Sequence, residues 1–152
     1  MHQQGSVNPS PPRTSGRAIA TTVAAVATAA TMLALDLTWL GVIARGLYDS
    51  ALAPLKRPEV FFPAAGLFYA LYLAAILIHA VLGATTPAGA GRRGAALGLV
   101  AYGTYELTNW AVLRDWPAVL VPVDLVWGVV LTGVSAFVGK WVYDAIRAGS
   151  RG

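Results

Sequence analysis

The chain has 152 residues, 57% of them hydrophobic and 12% charged, with a formal net charge of +4. A soluble domain carries about 25% charged residues, so this composition excludes a soluble globular enzyme and is that of an integral membrane protein. The absence of cysteine and the presence of only two histidines exclude disulfides, thiolate chemistry and any multi-histidine metal box.

Residues 1–16 are mostly Gln, Ser, Pro, Gly and Asn. They are expected to be a disordered tail, because they cannot bury a core. The first apolar run, residues 18–44, has 27 residues, where about 20 suffice to cross a bilayer. Small residues at 25–30 imitate a signal-peptidase site. The apolar run continues well past them, so a retained first helix is expected. A mixed-charge linker with Pro54 and Pro58 follows at 45–59 and is expected to hold a short interfacial helix near 47–55. The second run is 60–84, with Pro63 in its first turn, where a missing N–H does little harm. Residues 85–93 read as a Gly/Ala/Pro loop ending in Arg92 and Arg93. The third run is 94–113. Asp115 and Pro117 then suit the cap and first turn of a fourth helix at 118–138. That helix is expected to continue through Lys140 and Asp144 into water. Residues 17–147 thus form one domain, followed by a flexible tail at 148–152. The fold class is an all-α membrane protein, a four-transmembrane-helix antiparallel bundle, because short loops join neighbours up and down.

The basic residues flank the apolar runs, as charges do beside anionic headgroups. No basic stripe interleaved with aromatics exists, so no nucleic-acid partner is expected; the partner is the lipid bilayer. The termini and the 85–93 loop hold seven Lys/Arg against four (Arg45, Lys56, Arg57, Arg114) on the other side. The positive-inside rule places both termini in the cytoplasm of a bacterial inner membrane.

Three carboxyl groups interrupt the apolar runs: Asp36, Glu106 and Asp124. Each costs roughly 2.5–3.5 kcal/mol at a helix centre. Asp36 and Glu106 lie eight and seven residues before the ends of their runs, and Asp124 seven after Pro117. At 1.5 Å per residue these depths are all about 10–12 Å, and in an up-down bundle those ends share one side. Tyr102, Tyr105, Glu106 and Asn109 form one stripe of the third helix. Tyr69, Tyr72, Ile76 and His79 share a face of the second, and His79 reads as a packed or interfacial residue. Trp39 and Trp127 each lie three residues after an acid. Pro122 frees a carbonyl near Asp124, and irregular backbone at membrane depth lines a cavity or is buried in protein. Arg45 or Arg114 is expected to reach down and offset one charge.

Polar residues also act as glue between membrane helices. Three acids at one depth cost more than packing requires, which favours a functional cavity. In low dielectric they cannot all ionise together, so at least one carries a proton at neutral pH. Carboxylates with Asn and Tyr suit a hard cation, but the Glu-x-x-His pairs of a di-iron bundle are absent, and no resident metal or cofactor is identified. Gly94 and Gly98, with Gly128, Thr132 and Ala136, allow close helix contact within the bundle or in a dimer. Asp36-Leu-Thr-Trp39 echoes Glu106-Leu-Thr-Asn-Trp110, by duplication or by chance.

Three segments carry a family resemblance: Asp36-Leu-Thr-Trp39-Leu-Gly41, Tyr102-Gly-Thr-Tyr105-Glu106-Leu-Thr108-Asn109 and Asp124-Leu-Val-Trp127-Gly128. With them the chain resembles the bacterial membrane proteins of domain of unknown function 2177 over about residues 35–138. That family carries Asp more often at the position of Glu106. The resemblance implies a small four-helix membrane protein and no activity.

On the residues themselves, the leading expectation is binding or translocation of a small polar or cationic ligand, or a proton, in an acidic cavity. The site candidates are Asp36, Trp39, Tyr69, Tyr102, Tyr105, Glu106, Asn109, Asp124 and Trp127. Four helices are few for a monomeric transporter, so a homo-oligomer is expected with it. The alternatives are a membrane-embedded enzyme using acid/base chemistry on a lipid or isoprenoid, and a structural subunit of a membrane complex. No P-loop, nucleophile elbow or dinucleotide fingerprint occurs.

Overall fold

The computed structural model of the chain describes residues 13–150. The disordered tail expected at 1–16 falls mainly outside the described residues, as does the end of the one expected at 148–152. Within them the protein is an all-α membrane protein with five α-helices and no strand. The helices are α1 (Arg13–Thr38), α2 (Arg45–Ala51), α3 (Phe62–Ala75), α4 (Pro87–Val112) and α5 (Leu120–Gly149). Two π-helical segments extend α1 and α3, at Trp39–Ile43 and Ile76–Val81.

Three stretches are long and apolar enough to cross a membrane: Gly16–Ile43, Phe62–Val81 and Leu120–Gly149. A helix closes every backbone hydrogen bond within itself, which is what lipid demands. The polar side chains of α1 obey the same rule: Thr21, Thr28, Thr31 and Thr38 donate to the carbonyls four residues back, at 2.7–2.9 Å. Large apolar side chains such as Ile19, Val26, Leu37, Leu71, Ile78, Val100 and Val126 remain exposed along the outer faces. A soluble monomer does not leave so much apolar surface in water.

The α4 helix differs from the other three long ones. Its 26 residues include five glycines, Arg92, Arg93 and Glu106, so it is less apolar. It also starts at Pro87, not at 94 as the apolar run suggested. Thr86 caps it by accepting from the Gly89 N–H at 3.0 Å, and Pro87 occupies the first turn, where its fixed φ suits a helix. The expected 85–93 loop is therefore mostly helix.

Contacts between side chains give the directions. Thr28 meets Gly139 and Asp36 meets Trp127, so α1 and α5 run antiparallel. Gly94 faces Thr132 and Ala136 while Gly98 faces Gly128, so α4 and α5 are antiparallel as well. The Tyr72 and Thr132 hydroxyls are 2.6 Å apart, and Val81 approaches Gly139, so α3 runs parallel to α5. The small residues of α4 and α5 meet inside the bundle. A Cβ at Gly98 would fall on the Gly128 carbonyl oxygen, and one at Gly128 on the Tyr102 ring. Met32, Ile76, Val81 and Leu131 fill the core beside this crossing.

The π segments shift faces. Beyond Ile76 the buried positions are Ala80 and Val81, a step of five that a π turn supplies. His79 consequently lies on the exposed side and not on the face of Tyr69, Tyr72 and Ile76. Pro122 causes no irregularity. The α5 helix begins at Leu120 and not at 118, so Pro122 sits in its first turn, and the Ala118 carbonyl already accepts from the Val121 N–H at 3.3 Å.

Candidate functional site

The acids lie at the end of the bundle where the α1 π turn, α2 and the start of α5 meet. Asp36 comes just before that turn and Trp39 is its first residue. Trp39 stacks on Trp127 of α5, with ring centroids 4.5 Å apart and planes 9° from parallel. The Trp127 indole N–H donates to Asp36 Oδ1 at 3.2 Å, and the Tyr69 hydroxyl donates to Oδ2 at 2.6 Å. Both carboxyl oxygens of Asp36 are thus engaged by aromatic side chains from two other helices.

Tyr48 of α2 folds back over the same end. Its hydroxyl donates to Asp124 Oδ1 and accepts from the Trp39 indole N–H at 3.3 Å. Burial, and then the hydrogen bond to the Asp124 carboxyl, push the Tyr48 phenol above its ordinary range, so it serves as a donor and stays neutral. On the outside of α2, Lys56 donates to Asp49 and holds that carboxyl below its ordinary range.

Glu106 is fully buried. Its Oε2 accepts from the Trp116 indole N–H at 2.9 Å, while Oε1 meets no protein donor. The acid beside it is Asp124. Two carboxyl groups so placed in low dielectric disfavour a second negative charge beside the first.

A cavity of about 450 Å³ opens beside Asp36 and Asp124. Phe68, Tyr69, Tyr72, Tyr102 and Tyr105 form much of its wall. No basic side chain lines it. The ion pairs among the described residues are Arg45–Asp49 at 3.5 Å, Lys56–Asp49 and Lys140–Asp144 at 2.7 Å. None involves Asp36, Glu106 or Asp124, which are only 6%, 0% and 7% exposed. The expectation that Arg45 or Arg114 offsets one charge is therefore corrected. Arg45 opens α2, and its nearest acid is Asp49, one helical turn on and in water. Arg114 forms no such pair.

The nine candidates are placed as follows. Asp36, Tyr69, Tyr102, Tyr105, Asp124 and Trp127 line the cavity. Trp39 touches it through Trp127 and Tyr48. Glu106 lies behind Asp124. Asn109 does not line the cavity and makes none of the hydrogen bonds to the acids. Tyr105 is at the rim, 56% exposed, with its ring edge-on to Trp116 at 5.6 Å. Reading the sequence missed Tyr48 and Trp116, which lie in connections between apolar runs. An aromatic with a polar tip in a short connection beside an acid is the signal that would have found them.

A family model described as "Predicted membrane protein (DUF2177)" matches residues 21–141. No curated protein and no solved structure matches the chain.

Proposed function

The chain belongs to the DUF2177 family of membrane proteins, and for it we propose a role in binding a small cation, and passing it across the membrane, through the acidic cavity. One observation carries this proposal: three buried carboxyl groups converge on one end of the bundle, and no basic side chain among the described residues pairs with them. An uncompensated buried charge is costly. At membrane depth such groups mark ion and substrate paths. Asp36 and Asp124 at the cavity wall, with Glu106 buried behind, give it an acidic lining without a basic residue, and such a lining concentrates cations.

The proposal includes four crossings of a bacterial inner membrane. The fourth is α4, at about 39 Å long enough at 1.5 Å per residue, its glycines against α5 and its arginines near one end. Both termini face the cytoplasm, the side with seven of the eleven Lys/Arg. The cavity then lies in the outer half. A homo-oligomer completes a translocation path that four helices alone are short of providing.

Topology is open to direct test, because the chain has no cysteine. Cysteines introduced at Ser50 and Thr86 are expected to react with an impermeant maleimide from opposite sides of oriented vesicles. Labelling from the same side contradicts the arrangement. For function, proteoliposomes with an inside-negative potential are expected to take up protons, sodium or tetraethylammonium faster than empty vesicles. Asp36→Asn with Asp124→Asn should return uptake to the empty-vesicle rate. Uptake of all three equal to that of empty vesicles, or unchanged by the double substitution, overturns translocation through this cavity.

A further inference from the structure

We infer that the ligand of the cavity is an organic ammonium ion rather than a metal ion or a bare proton. This rests on the cation-binding role proposed above and names its substrate class. The lining is the first ground. Seven of the twelve residues around the cavity are aromatic, two are acids and none is basic. A hard metal ion requires about six or more oxygen ligands close together. No group of three Asp, Glu, His or Cys among the described residues is placed to hold one. The carboxyl oxygens of Asp36 already accept from Tyr69 and Trp127, and Asp124 accepts from Tyr48. They act as fixed charges at the wall more than as a coordination shell.

Ring arrangement is the second ground. Phe68 and Tyr72 lie nearly parallel with centroids 5.5 Å apart, and Tyr102 tilts at 59° to Tyr72 at 6.4 Å. Such walls present π faces in several directions, and an ammonium within about 6 Å of a ring centroid is attracted by its quadrupole. Size agrees. About 450 Å³ is the scale of a small organic ligand's pocket, about 300–1,000 Å³, and far exceeds a dehydrated ion. The Tyr48, Tyr69 and Tyr72 hydroxyls are already engaged with Asp124, Asp36 and Thr132, whereas an alkylated ammonium needs no oxygen shell, loses little hydration and gains apolar contact with the rings.

The ammonium has two sources, a free amine and the headgroup of a choline lipid, and one experiment separates them. The full chain is placed in nanodiscs of phosphatidylglycerol or of phosphatidylcholine, and binding of radiolabelled tetraethylammonium is measured by equilibrium dialysis. Saturable binding is expected, displaced by benzyltrimethylammonium and not by equal sodium or magnesium. Equal affinity in both discs identifies a free ammonium; weaker binding in phosphatidylcholine identifies the headgroup. Tyr105 and Phe68 are half-exposed rim residues, so their substitution leaves the core packed. Tyr105→Leu and Phe68→Leu are each expected to weaken binding about threefold to tenfold, and Tyr105→Phe less than either. Asp36→Asn should weaken it most. No tetraethylammonium binding, with sodium or magnesium bound in a manner that Asp36→Asn abolishes, overturns the ammonium inference and leaves cation binding standing. Binding of no cation that depends on Asp36 or Asp124 overturns both.

Discussion

Gly98→Ala is expected to destabilise the protein by at least about 1–3 kcal/mol, the cost of forcing an added group into a packed interior. The new methyl would land on the Gly128 carbonyl oxygen of α5. A backbone atom cannot rotate away as a side chain can, so the helices must part. Parting them loosens Gly128 from the Tyr102 ring and opens the cavity wall. The same exchange at Gly103 in the same helix meets nothing within 4 Å. Gly103→Ala is therefore expected to stabilise by about 0.5–1 kcal/mol, the helix preference of Ala over Gly. Reversible unfolding in mixed micelles measures both. Equal effects at the two positions would mean that close approach of α4 and α5 does not hold the bundle together.

Glu106 gives the second large contrast. Glu106→Gln keeps an oxygen for the Trp116 indole N–H and replaces the acceptor that receives no protein donor with an N–H₂ that can donate toward Asp124. It is expected to be neutral, or stabilising by about 1 kcal/mol. Glu106→Leu leaves the Trp116 N–H and the Asp124 carboxyl without their partner and is expected to cost about 2–3 kcal/mol. The same unfolding assay reads both variants. A Gln variant as unstable as the Leu variant would show that polar contact with Trp116 and Asp124 is not what Glu106 contributes.

Much of this site could be read from spacing. The rise per helical residue sets Asp36, Glu106 and Asp124 at one depth, and short loops alternate the helix directions. Small residues four apart on α4 and α5 marked the faces that meet. What spacing could not show came from backbone that departs from 3.6 residues per turn. The π step after Ile76 brings Val81 inward and turns His79 out, which a straight helical wheel reverses. The π turn at Trp39 ends α1 and lets α2 fold back, so Tyr48 reaches Asp124 from a mixed-charge linker whose short helix is expected at the interface and not over the acids. Asn109 is one turn beyond Glu106 on the same stripe, yet the Trp116 indole reaches Glu106 from the connection that follows α4. Apolar counting also hid the start of α4, where a Thr-Pro cap outweighs a run of Gly, Ala and Arg.

Cation-dependent stability tests the central claim, that uncompensated acids in this cavity await a cation. Thermal unfolding of the wild type and of the Asp36→Asn, Asp124→Asn double variant is followed in detergent, without added ligand and with sodium, magnesium or tetraethylammonium. Asn at both positions keeps a carbonyl for the Trp127 and Tyr48 donors while removing charge that no basic group offsets. The unliganded double variant is therefore expected to unfold at or above the wild-type temperature. At a hundredfold excess over Kd, one bound cation should stabilise the wild type by about 2.7 kcal/mol and leave the double variant unmoved. A double variant that unfolds well below the wild type without ligand, and shifts equally with each cation, would contradict the claim and make these acids structural ties between helices.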